Sequence, residues 1–455
     1  MPCVLTTPSL SCNVPAYQLC DRAPVQPCNL PIVDFSGITM KNLLLILLIM
    51  TLSSFAASQP NRIDIVLPDS PELAAFGQHV VGVRTLEVSE AERLDILNAR
   101  PEVETPRYLR ELTLEIWYPA EAEGHQPGTS YPTPTRNPEI QATLHGRAMR
   151  DAPPTQGQRF PLVIVSHGYP GNRYLLSHLG ENLASKGYVV ASIDHRDSTY
   201  DDQQAFSSTL YNRPLDQRQT LAALDELSQQ AGHFLHELVD ANNTALIGYS
   251  MGGYGVLNNL GAGFSEAGVN FIGSPPNQIL QSLAAASTDY AATLDPRIKV
   301  GIPIAPWGMN MGFWDAAGLA ELNLPMLVVA GDADPTSGYE QGVQAIYNQA
   351  ASTDRYMLVF KNAGHNIAAP IPLPVEFLDR DAVAGASHYQ DPVWSSTRAN
   401  NILQHFVTAF LDLHLKADAS RRDYLNVTED GAATGETPWK GFAERTTVGL
   451  KMYRN

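Results

Sequence analysis

Residues 244–253 read Thr-Ala-Leu-Ile-Gly-Tyr-Ser-Met-Gly-Gly, and the fold turns on them. Ala245 to Tyr249 is apolar on both faces, as a strand buried between two layers must be. Directly after it, Gly248-Tyr249-Ser250-Met251-Gly252 has the form G-x-S-x-G. A strand that turns sharply into a helix while presenting a serine needs neighbours without bulk, because the backbone there is strained and closely packed. Gly248, Gly252 and Gly253 provide them. The bland alternative is an ordinary glycine-rich strand-to-helix turn.

Outward from this turn the same alternation repeats. Further buried-strand runs are PLVIVS (161–166), YVVASID (188–194), IKVGIPIA (298–305), PMLVVAGD (325–332) and YMLVF (356–360). Helical patterns fill the gaps: 174–186, stopping at Gly187, 215–230, and a long terminal helix over 391–416. The last carries Ile402, Phe406, Ala409, Phe410 and Leu413 on one face. Two earlier strands are expected at 79–88 and 111–118, followed by a polar surface excursion over 119–158. The pattern predicts an α/β protein of the α/β-hydrolase fold, a mostly parallel central sheet with helices on both faces. Residues 59–455 form one domain in this reading, with 261–296 as an insertion acting as a lid and 417–455 as a tail.

A serine hydroxyl is a poor nucleophile until a base removes its proton. In this fold the partners follow the serine in the order acid, then histidine. His365, in Asn362-Ala363-Gly364-His365, lies just past the YMLVF strand and is the expected base, with His388 in reserve. His405 and His414 fall in the terminal helix, where packing is the plainer reading. Asp334 is the expected acid, because the loop after PMLVV must turn before a carboxylate can reach the imidazole; Asp332 is the alternative. Oxyanion donors are expected at the N–H groups of Met251 and of Tyr169, in the loop after PLVIVS. His167 there is expected to buttress the loop. His233, His236 and Glu237 run in an order that matches no zinc motif and are read as solvated surface. Asp194, Asp197, Asp201 and Asp202 are read as structural or surface groups, so no metal and no cofactor are expected.

Composition limits the partners. The 455-residue chain carries a formal net charge of −17, which repels nucleic-acid phosphates and argues against nucleic-acid binding. It also favours neutral or cationic substrates, weakly at physiological salt. From Met40 a single lysine, an apolar run over 43–52 and the small residues Ala56-Ala57-Ser58 give the pattern of a cleavable export signal. Residues 1–39, which hold Cys3, Cys12, Cys20 and Cys28, precede it and are read as an extension upstream of the true start. The mature chain is then expected to be secreted or periplasmic, without cysteine and without a stable membrane anchor.

The stretch VIVSHGYPGNRYLLSHLGENLASKGYVVASIDHRDS resembles platelet-activating-factor acetylhydrolases and dienelactone-hydrolase-like esterases through its SHG turn, LASKGYVV run and HRD triplet. GYSMGG, IPIAPWG and VVAGDADPTSG resemble bacterial cutinase-type polyesterases. The second likeness implies Ser250 as nucleophile, Asp334 and His365 as its partners, Tyr169 and Met251 as oxyanion donors, and Trp307 lining the substrate cleft. Together the two likenesses imply a serine carboxylic ester hydrolase acting on small-molecule or lipid esters, with a short-chain or phospholipid acetyl ester first and a polyester second. A non-catalytic binding module of the same fold, or a metallohydrolase built on the 233–237 histidines, is the rival reading.

Overall fold

The computed structural model describes residues 60–455 apart from 123, 286, 352–353, 379–383 and 432–438. The expected extension, the export signal and all four cysteines lie outside the described residues. Twelve strands are named here in chain order, and ten of them form one sheet in the order β12-β11-β10-β9-β8-β6-β7-β2-β1-β5. Its centre is β6 (Phe160–Ser166), β7 (Val189–Asp194), β8 (Val239–Tyr249), β9 (Ile298–Ile304), β10 (Met326–Gly331) and β11 (Arg355–Phe360), all parallel. β1 (Val80–Leu94) and β2 (Arg107–Ala120) form an antiparallel ribbon against β7, and β5 (Met149–Arg150) pairs with β1. This is the α/β-hydrolase fold.

Alternation along the central strands sorts their side chains into two apolar layers. Val163 and Val165 of β6 join one layer with Ile247 and Leu358, while Leu162 and Ile164 join the other with Leu246 and Val328. Helices α1 (Ser177–Ala184) and α4 (Ser396–Leu415) cover the first; α2 (Phe206–Gln229) and α3 (Met251–Asn259) cover the second. Because β6 has β7 on one side and β8 on the other, strand order reverses at β6. The crevice beyond the carboxyl ends of β6 and β8 is therefore open to a ligand.

Four regions differ from the sequence reading. Helix α2 starts at Phe206, well before Pro214, although an internal proline removes a donor and normally ends a helix. The carbonyl it strands, that of Leu210, instead accepts from the Tyr254 hydroxyl at 2.9 Å. The 119–158 excursion contains a hairpin, β3 (Ser130–Pro134) with β4 (Gln141–His145), whose Tyr131 is fully buried and donates to Glu181 of α1 at 2.6 Å. In the expected tail, β12 (Leu450–Arg454) pairs antiparallel with β11 and buries Leu450 and Met452. Residues 261–296 form short helical turns whose Phe264, Leu280, Leu283 and Tyr290 are buried in the layer under α3.

Candidate active site

Ser250 stands between β8 and α3 with φ of +53°, a left-handed conformation a serine adopts only when its surroundings enforce it. The enforcement is visible in contacts: Ser250 N–H donates to the Ile304 carbonyl at 2.9 Å, and its own carbonyl accepts from Trp307 N–H at 3.2 Å. Gly252 is obligatory here, since a Cβ on it would lie 2.0 Å from the Ser166 carbonyl oxygen. That tight approach brings the start of α3 against the loop after β6.

His365 Nε2 lies 2.9 Å from Ser250 Oγ, and its Nδ1 lies 2.8 Å from Asp334 Oδ2. The Asp334 side chain is fully buried, the His365 side chain is 13% exposed, and Ser250 is 7% exposed. The chain of contacts thus runs from the interior to a barely open serine. The other Asp334 oxygen accepts from the N–H groups of Thr336 (2.7 Å) and Ser337 (3.0 Å), which fix the carboxylate. Asp332 faces elsewhere, accepting from Asn362 N–H at the start of the histidine loop. Asp391, not singled out in the sequence, holds the same loop through Gly364 N–H at 2.6 Å. Tyr249 packs its ring against the imidazole at 5.2 Å between centroids, and its hydroxyl donates to Asn366 at 2.7 Å.

Tyr169 N–H makes no backbone hydrogen bond among the described residues, and Met251 N–H belongs to the first turn of α3, where no intrahelical acceptor exists. The Tyr169 loop is held from behind by a fully buried polar network. Arg213 of α2 donates to the carbonyls of His167 and Gly168 and, at 2.7 Å, to Ser198 Oγ. Ser166 Oγ lies 2.7 Å from His195 Nε2, whose Nδ1 lies 3.0 Å from Asp216. Asp216 also takes Arg110 at 2.6 Å and Arg93 at 3.1 Å. These two guanidiniums overcome burial and hold the Asp216 carboxyl well below its usual range. Burial, with Arg213 next, pushes His195 down to about 3 and His167 well down, so both imidazoles are neutral. Ser166, His195 and Asp216 repeat the contact order of the first three residues, but all are at most 2% exposed, so no substrate reaches them.

The cleft over Ser250, about 330 Å³, is lined by Tyr169, Phe206, Met251, Trp307, His365 and His388 among others. Trp307, expected in the substrate cleft, is among these lining residues. The reserve base His388 points its Nε2 to the Tyr200 hydroxyl at 2.8 Å instead. Residues 261–296 contribute no lining side chain among the described residues; Phe271 packs behind Trp307 with centroids 6.1 Å apart. Lining residues the sequence did not suggest include Arg136 of the β3–β4 turn and Asn366. Asp194 pairs with Arg173, and Asp197 with Arg110 at 3.0 Å.

Residues 141–233 match the family described as platelet-activating factor acetylhydrolase, isoform II. Cutinase est1 of Thermobifida alba is 26% identical over 213 residues, 47% of this chain and 55% of that protein. A bis(hydroxyethyl) terephthalate hydrolase of Streptomyces coelicolor is 26% identical over 213 residues, 46% of this chain and 52% of its own. The chain thus spans about half the length of these curated relatives. A ferulic acid esterase from Streptomyces cinnamoneus shares the fold with a TM-score of 0.52 at 20% identity, covering 85% of this chain and all of that one. Among the described residues no helix is long and apolar enough to cross a membrane.

Proposed function

We propose that the protein is a serine carboxylic ester hydrolase working through an acyl-enzyme. The observation that carries the reading is the unbroken contact chain Asp334–His365–Ser250, with steps of 2.8 and 2.9 Å, at the floor of a cleft. In the reaction His365 Nε2 takes the Ser250 proton as Oγ attacks the ester carbonyl. Asp334 holds the Nδ1 proton and stabilises the imidazolium. The N–H groups of Tyr169 and Met251 receive the developing oxyanion. Collapse expels the alcohol, protonated from Nε2, and water repeats the cycle to free the acid. The chemistry needs no cofactor.

The substrate reading is a short acyl group, on a small-molecule or phospholipid acetyl ester. It is supported by a cleft of only about 330 Å³ and by the acetylhydrolase match over 141–233. A second reading, an aromatic polyester chain end, is favoured by the aromatic wall of Tyr169, Phe206 and Trp307 and by the cutinase relatives. Hydrolysis of p-nitrophenyl esters from acetate to palmitate by wild type and Ser250→Ala separates these. An optimum at acetate or butyrate, lost with Ser250, supports the first. Poor turnover of all soluble esters beside release of acid from a polyester film supports the second. We further infer export through residues 40–58; a first residue upstream of Met40 in secreted material contradicts that.

A further inference from the structure

The side chains around Ser250 fall into two groups. Tyr169, Phe206 and Trp307 touch edge to face in a row, with centroids 5.0 and 5.4 Å apart. The second group adjoins His365. Asn366 follows it and donates its side-chain amide to the Ser387 carbonyl at 2.8 Å, and His388 is bound to Tyr200. Beside them stands Arg136. Its backbone N–H donates to the Tyr389 hydroxyl at 2.9 Å, and its stem lies against Gly385, where an added Cβ would come within 3.1 Å of Arg136 Cγ.

The stem of Arg136 passes close to Gly385, and its guanidinium has no hydrogen-bond or ion-pair partner among the described residues. In this fold the other guanidiniums near the cleft are committed: Arg213 to backbone carbonyls, Arg110 and Arg93 to Asp216. No aspartate or glutamate lines the cleft among the described residues, and Arg136 is its one arginine or lysine. Its charge reaches the neighbours: after burial it is the chief cause that pushes His388 down to about 3. Arg136 is thus an exposed cation on the cleft wall without a partner among the described residues, in a chain of net charge −17.

We propose that Arg136 forms an anion subsite, so that the cleft selects esters bearing a second, negatively charged group, a carboxylate or a phosphate. This rests on the ester-hydrolase reading and narrows it. A guanidinium offers two parallel N–H donors to either oxyanion, a geometry a neutral ester group cannot use fully. Since Arg136 is exposed, solvent screens the contact, and the selectivity expected is about five- to tenfold.

The test compares two substrate pairs. 4-Nitrophenyl hemisuccinate against 4-nitrophenyl butyrate places a carboxylate on the acyl side. Acetylglycerol phosphate against monoacetin places a phosphate on the alcohol side. The anionic-to-neutral ratio of kcat/KM should fall about five- to tenfold in Arg136→Gln for at least one pair, with Arg136→Lys intermediate. The pair that moves identifies the anion and its position. Ratios within about twofold of wild type in both pairs overturn the subsite. Absence of hydrolysis of all four esters and of a polyester film by folded wild type instead overturns the ester-hydrolase reading, and the subsite with it; film hydrolysis without turnover of any of the four esters overturns the subsite alone.

Discussion

Removing one hydroxyl, in Tyr254→Phe, should destabilise the protein through a helix the tyrosine does not belong to. Pro214 lies inside α2 and has no N–H for the Leu210 carbonyl four residues before it. Tyr254 supplies the missing donor at 2.9 Å, and both Leu210 and Tyr254 are fully buried. Phenylalanine keeps the ring contacts to Phe264 and Phe313, both at 5.3 Å, so packing changes little. What is lost is the hydroxyl donor to the buried carbonyl that Pro214 cannot serve, a cost of about 1–3 kcal/mol. A second substitution should rescue it. Pro214→Ala restores an N–H in position to bond Leu210, so in that background Tyr254→Phe should cost about 0.5 kcal/mol or less. The assay is urea unfolding of the four proteins, read by circular dichroism and tryptophan fluorescence, with coincident transitions and a common slope required. A coupling of about 1 kcal/mol or more supports the argument. Equal cost of Tyr254→Phe in both backgrounds refutes it.

Other consequences follow from the same geometry. Asp334→Asn should lower kcat on p-nitrophenyl acetate by about 10³–10⁴-fold, whereas Asp332→Asn, at a carboxylate that accepts from Asn362 N–H, should lower it less than about tenfold. Arg213→Met frees the carbonyls of His167 and Gly168 and lets the Tyr169 amide drift; kcat should drop about 10–100-fold with KM changed less than about threefold, as steady-state kinetics would show. Burial holds His178 down to about 4 and His195, His388 and His405 down to about 3. Their folded values lie below the unfolded one, so the unfolded state binds more protons as pH falls through about 6.5, and stability is lost from there downward. The urea midpoint should therefore drop steadily between about pH 7 and 5.5; a flat midpoint over that range contradicts the neutral burial of these imidazoles.

Much of this architecture is legible from the residues because the signals are local. The buried runs at 161–166, 244–249 and 325–332 became β6, β8 and β10, and the glycines around Ser250 marked the turn that strand order then carried to the crevice. The proposed acid after β10 and the proposed base after β11 were expected from loop position, which leaves few choices once the fold is known. What escaped depends on contacts far along the chain. Pro214 reads as a helix stop until Tyr254 is seen beside Leu210. Tyr131 looks like surface until its hydroxyl meets Glu181, and with it the hairpin carrying Arg136 was missed. The buried set Arg110, Asp216, His195 and Arg213 comes from three separate elements, each reading as polar surface by itself. The 261–296 segment has the length of a lid, yet its apolar residues are spaced to fill the layer beneath α3.

In the proposed mechanism Ser250, driven by His365, is the acylated nucleophile. This is tested most directly by treating the protein with diethyl p-nitrophenyl phosphate and locating the adduct by peptide mass spectrometry. The account predicts one diethylphosphoryl group per chain, on Ser250, with p-nitrophenyl acetate hydrolysis lost in proportion to labelling and no reaction in His365→Ala. Full activity with Ser250 labelled, or an adduct on another serine that abolishes activity, would contradict it.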